Sequence, residues 1–105
     1  MNEIRTTTAF DHWLESLSGD RAQTKVLARI SNMGCGNFGA CEPVGDGISE
    51  SKIDYGPGYR IYFKRVGRVV YLLLIGGEKS TQTKDIKQAK ALAAALQPLS
   101  LERGL

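Results

Sequence analysis

The sequence predicts an α+β domain. A small, mostly antiparallel sheet carries two N-terminal helices on one face and a C-terminal helix, in the order β-α-α-β-β-β-α. Three observations predict it. Two stretches near the N-terminus repeat apolar residues at helical spacing. The segment from Tyr59 to Ile75 first alternates and then runs apolar, as paired strands do, and a third helical periodicity follows it. At 105 residues the chain has the length of one domain, expected over residues 1–98, with a loose tail over 99–105.

Each element has its own signal. Glu3–Thr7 reads as a short strand. Phe10, Trp13, Leu14 and Leu17 then fall at i, i+3, i+4 and i+7, with Thr8 as the expected cap and Gly19 as the stop. A second helix starts at Asp20. Ala22, Val26, Leu27, Ile30 and Met33 form its expected buried face, Arg21, Lys25 and Arg29 its exposed face, and Gly34 its end. The glycine-rich middle, Gly34 to Gly58, allows short strands around Cys41–Val44 and Ile48–Asp54. Tyr59–Val66 alternates with period two, Gly67-Arg68 makes a tight turn, and Val69–Ile75 returns as a central strand ended by Gly76-Gly77. In the last helix Thr81 or Thr83 is the cap, Ile86, Ala89, Ala93 and Leu96 face inward, and Pro98 is the stop.

Composition narrows the function classes. The longest apolar run, Val69–Ile75, falls well short of the ~18 residues of a membrane span. Met1–Arg5 has no apolar h-region of a secretory signal, so a cytoplasmic protein with no membrane partner is expected. A net charge of +3 permits an anionic partner. Cys35 and Cys41 lie beside glycines at a spacing foreign to zinc sites, and the chain has one histidine. Reduced thiols, no metal and no cofactor are therefore expected.

The alternation assigns faces. If Tyr59, Ile61 and Phe63 meet the helices, then Arg60, Tyr62 and Lys64 lie on the other side, which Lys52 and Asp54 can share. Glu78 and Lys79 leave the glycine pair, with Lys84 and Lys87 close behind. Interleaved cations and aromatic rings suit single-stranded nucleic acid, although an ordinary solvated sheet face carries the same residue types. RNA brings its own nucleophile, the 2′-hydroxyl. A site therefore needs a cation fork for the phosphate and a proton carrier, which Arg and a crowded Lys can supply. His12, alone on a helix, cannot form an acid–base pair.

Three motifs carry a resemblance: Gly36-Asn37-Phe38-Gly39, the stretch from Ile53 through Tyr55-Gly56-Pro57-Gly58-Tyr59-Arg60 to Phe63, and Leu72–Gln82 with its Gly76-Gly77-Glu78-Lys79-Ser80-Thr81 core. Over about residues 3 to 97 the chain resembles the addiction-module killer proteins, HigB-like toxins of the RelE/ParE superfamily from type II toxin–antitoxin systems. The resemblance implies a compact sheet with two N-terminal helices packed on it. It also implies metal-independent cleavage of mRNA in the ribosomal A site, which arrests translation. The implied partners are a cognate antitoxin, the ribosome with its mRNA, and operator DNA reached only through the antitoxin complex. Carried over by position, Arg60, Lys79 and Lys52 are the candidate catalytic residues, with Arg60 on the scissile phosphate. Tyr62, Lys64, Tyr59 and Lys84 are the candidate RNA-binding residues, with Tyr62 stacking on a base. The chain departs from the family pattern at Ser51-Lys52, where Leu-Arg is common, at Glu78, where Asp is usual, and at Met33-Gly34-Cys35. Lysine at 52 keeps the charge but loses the bidentate fork. Gyrase inhibition on the same fold, and RNA binding without catalysis, remain the alternatives.

Overall fold

A computed structural model describes residues 1–103, with side chains described through residue 95. Strand β1 (Glu3–Thr6) is followed by α1 (Thr8–Ser16), α2 (Asp20–Gly34), β2 (Ala40–Gly45), β3 (Ile48–Ile53), β4 (Tyr59–Arg65), β5 (Val70–Glu78) and α3 (Gln82–Arg103), with a 3-10 turn at Lys79–Thr81. The α+β class and the helical hairpin stand as read. One more strand follows the hairpin than the expected order contains, because both segments of the glycine-rich middle pair. Gly45 and Gly47 adopt φ of 102° and 77°, which turns β2 back as β3.

The sheet order is β1-β5-β4-β3-β2. Neighbours are antiparallel except β1 and β5, which run parallel with Glu3 opposite Val70 and Thr6 opposite Leu73. The mixed sheet has a core on each face. Phe10, Val26, Met33, Ile53, Ile61, Phe63 and Leu73 pack beneath α1 and α2. Ile48, Tyr62, Leu74, Ile75, Ala89 and Ala93 pack beneath α3. This corrects the expectation of one open sheet face. With a core on each face, β5 reads as an apolar run, and a bulge sets two neighbours on one side: Tyr62 pairs Ile75 and Phe63 pairs Leu73, so Leu74 is the extra residue and joins Ile75 on the α3 side. Ala89 and Ala93, at i and i+4, form the buried face with which α3 packs on the sheet.

Several local expectations shift. Thr7, not Thr8, caps α1: its Oγ1 accepts from Phe10 N at 2.9 Å and donates to the Leu74 carbonyl at 2.6 Å, so one hydroxyl starts the helix and pins it to β5. Leu27 is 52% exposed. Arg29 instead lies inward, its Nη1 donating to Ser51 Oγ and the Lys52 carbonyl, each at 2.7 Å. Helix α3 runs past Pro98 to Arg103. Proline lacks one donor and crowds the turn before it, yet its φ is helical, and here the backbone continues through it. The inward placement of Leu96 and the side chains of the tail expected over 99–105 lie outside the described residues. Both cysteines are free and exposed.

Candidate functional site

The sequence pair Gly76-Gly77 does not end β5, which continues to Glu78. A Cβ on Gly76 would stand 2.1 Å from the Trp13 ring, and one on Gly77 would stand 1.8 Å from Asp85 Oδ2. The two glycines therefore let α1 on one face and α3 on the other lay side chains directly on the strand backbone. Beyond them Glu78 and Thr81 form a reciprocal capping box, which turns the chain from β5 into α3. The Tyr55-Gly56-Pro57-Gly58 stretch makes the β3–β4 turn, Gly58 N donating to the Tyr55 carbonyl at 3.0 Å. The Gly58 carbonyl then accepts from Lys79 N at 2.8 Å, so the turn and the end of β5 form one corner.

Register places the residues of the α3 face in rows. Glu50 is opposite Tyr62, Lys52 is opposite Arg60, and Arg60 is opposite Gly77. Tyr62 is wholly buried. Its hydroxyl donates to Glu50 Oε2 at 2.9 Å, and Gln82 Nε2 donates to the same oxygen at 2.8 Å. Burial first, and the bond to Glu50 second, push the Tyr62 hydroxyl well above the usual tyrosine range. Tyr62 has no surface on which a base could stack, which corrects its assignment to RNA. Tyr59 is corrected likewise: it is buried on the opposite face, edge-on to Trp13 with ring centroids 6.2 Å apart. Lys64 stands at the far end of β4, where a Cβ on Gly47 would meet its Cε at 3.4 Å, so it does not join the Arg60 corner.

Four predicted cations do belong to one region. Lys52 is half-buried and pairs with Glu42 at 3.0 Å. Arg60 is half-buried, and its Nε is a buried donor with no partner among the described residues. Lys79 is exposed on the corner made with Gly58, and with Lys84 and Lys87 it lines a shallow depression at the start of α3. Such a donor set can hold an anion: the guanidinium is a fixed fork, and the lysines add charge around it. Leaving a buried N–H unmet costs about 1–3 kcal/mol, a cost that a phosphate oxygen would remove. His12 is exposed on α1, and among the described residues no cluster of three potential metal ligands forms.

Pattern reading missed Glu50, Gln82, Asp85 and Trp13 as part of this region. The adjacent glycines were the available signal, since a double glycine inside a strand marks close approach as well as a stop. The motif Gly36-Asn37-Phe38-Gly39 lies elsewhere and does structural work. Phe38 stacks on Phe63 with centroids 5.0 Å apart, and the Arg29 guanidinium lies against Gly39, whose φ is 66°.

No helix among the described residues is long and apolar enough to cross a membrane. No protein-family model matches the sequence. A Haemophilus influenzae protein, itself described only as uncharacterized, is 53% identical over 94 residues, covering 90% of this chain and 95% of the relative. That identity holds across almost the whole domain, so the chain belongs to one family with this Haemophilus influenzae protein.

Proposed function

We propose that this protein is the toxin of a type II toxin–antitoxin module, a HigB-like member of the RelE/ParE superfamily that cleaves mRNA on the ribosome. The observation that carries the reading is Arg60, a half-buried guanidinium with an unmet buried Nε, flanked across the sheet by Lys52 and beside the Lys79 corner. In the proposed reaction the 2′-hydroxyl attacks the adjacent phosphorus while the P–O5′ bond breaks, leaving a 2′,3′-cyclic phosphate and a 5′-hydroxyl. Arg60 holds the non-bridging oxygens, whose charge grows in the transition state. Lys79 and Lys52 carry the proton from the attacking oxygen to the leaving one. Lys84 holds a neighbouring phosphate. A cognate antitoxin neutralises the toxin and takes it to operator DNA. The helical hairpin over a sheet in the order β1-β5-β4-β3-β2 supports the superfamily's topology as the finer reading of the fold.

The test is 5′-end mapping of mRNA in a purified translation system. New ends that require ribosomes are expected, and Arg60→Ala should lower their yield about 100-fold or more, the scale of losing one transition-state donor. Intact mRNA on active ribosomes would overturn the nuclease reading and make gyrase supercoiling the next assay.

A further inference from the structure

One flank of α3 carries a stripe of cations. Thr83, Lys87 and Lys90 fall at i, i+4 and i+7, so they share one side of the helix. Gln82, whose Nε2 donates to Glu50, brings the start of α3 over β3. Lys90 Nζ rests by Gly45 at the end of β2, 3.1 Å from where a Cβ would stand, so the stripe turns toward β2. On the opposite flank Asp85 and Lys84 line a cavity between α1 and α3, with Trp13, Gly76 and Gly77. From Thr83 to Lys90 the stripe covers about 10 Å of helix. Strand β3 spans the same two ends, from Lys52 opposite Arg60 back to Ile48 beside the β2–β3 turn, about 13 Å.

The stripe lacks counter-charge. Among the described residues the ion pairs are Glu3–Arg5 and Glu42–Lys52, and the side chains of Lys79, Lys87 and Lys90 have no partner. The neighbouring acids are engaged or apart: Glu50 holds Tyr62 and Gln82, Glu78 forms the capping box, and Asp46 stands exposed on the β2–β3 turn. Lys90 is half-buried and has the like charge of Lys87 three residues before it, an arrangement that an anion would relieve.

We propose that an RNA strand leaves the Arg60 corner along this flank, with Lys87 and Lys90 binding phosphates beyond the one that Arg60 holds. A strand with a charge on every nucleotide fits cations set out in a row, whereas one small anion would need them to converge. Gly77, opposite Arg60, leads through Lys79 into the stripe, so one strand can meet both. The inference rests on the RNA reading for the class of polyanion and adds where the strand runs. Binding without cleavage tests it alone.

The full chain is titrated with labelled 2′-O-methyl oligonucleotides, which lack the attacking hydroxyl, and binding is read by fluorescence anisotropy. A hexamer should bind about tenfold or more tighter than a dimer. Lys87→Ala/Lys90→Ala should remove that gain and lower the log–log salt slope by about 0.7 for each lysine, with an unchanged circular dichroism spectrum. Lys87→Arg/Lys90→Arg keeps the charges and should keep the gain. Arg21→Ala/Arg68→Ala removes as much charge from α2 and the β4–β5 turn and should leave affinity and slope unaltered. Equal losses in the two alanine pairs, or a hexamer no tighter than the dimer, would overturn the track. An oligoglutamate that binds as tightly and depends on the same two lysines would also overturn it, in favour of an acidic protein. Should the alanine variant not fold, amide shifts in the wild type serve instead. Movement at Lys87, Lys90 and Gly45 with the hexamer but not the dimer supports the track, and no movement there overturns it. Length-dependent binding through the stripe with intact mRNA upholds the track and removes the nuclease reading. Ribosome-dependent cleavage with hexamer binding unaltered by Lys87→Ala/Lys90→Ala does the reverse.

Discussion

The Tyr62 hydroxyl donates to Glu50 inside the core beneath α3, and the consequence is measurable. Tyr62→Phe leaves that carboxylate with Gln82 as its side-chain donor, so a loss of about 1–3 kcal/mol is expected in chemical denaturation near pH 7. The pH dependence has a definite sign. Burial and the Glu50 bond raise the native hydroxyl above its unfolded value of about 10, so the native chain keeps a proton that the unfolded chain releases. This contribution is fully present below pH ~10 and declines as pH rises above it. The stability difference between wild type and Tyr62→Phe should therefore narrow between about pH 9 and pH 11. A difference that stays constant over that interval would contradict the assigned environment.

Helix α2 separates residue type from position. At about 100° per residue, counted from Ala22, Val26 falls near 40° and Met33 near 20°, both on one stripe. Arg29 falls near −20° on the same stripe, while Leu27 falls near 140° and leaves it. Reading by residue type placed Leu27 inside and Arg29 outside; geometry reverses both, since the arginine has Ser51 and the Lys52 carbonyl to receive its donors. Met33→Ala should cost about 2–5 kcal/mol because it empties a fully buried site, whereas Leu27→Ser should stay within about 0.5 kcal/mol. Thermal or urea unfolding of the two variants checks the pair. The glycine pair of β5 teaches the same distinction, since a strand breaker by composition is a contact surface by position.

Across the whole molecule, the net charge of +3 matters less than where the cations gather. Lys52, Arg60, Lys79 and Lys84 come from β3, β4, the turn after β5 and α3; register sets Lys52 opposite Arg60 and Arg60 opposite Gly77, and the capping box leads the chain from there through Lys79 to Lys84. Binding of a short single-stranded RNA should weaken linearly in log–log salt plots. Each phosphate contact removed should reduce the slope by about 0.7. Lys79→Ala is expected to show that reduction and Arg68→Ala, at the distant β4–β5 turn, none; equal slopes for both would place the phosphates elsewhere.

Periodicity by itself determined the three helices, the paired strands β4 and β5, and which residues of β4 share a face. Those are local properties, written in spacings of two and three to four residues. Alternation also grouped Arg60 with Tyr62 correctly. What it could not determine is what each face meets. Only the docking of α3, far along the chain, decided that Tyr62 is core, and a fourth strand after the hairpin required pairing across the glycine-rich middle. The Trp13, Gly76, Gly77 and Asp85 cavity belongs to the same class. Its walls come from α1, β5 and α3, and no sequence window spans them, because it is tertiary packing that closes those distances.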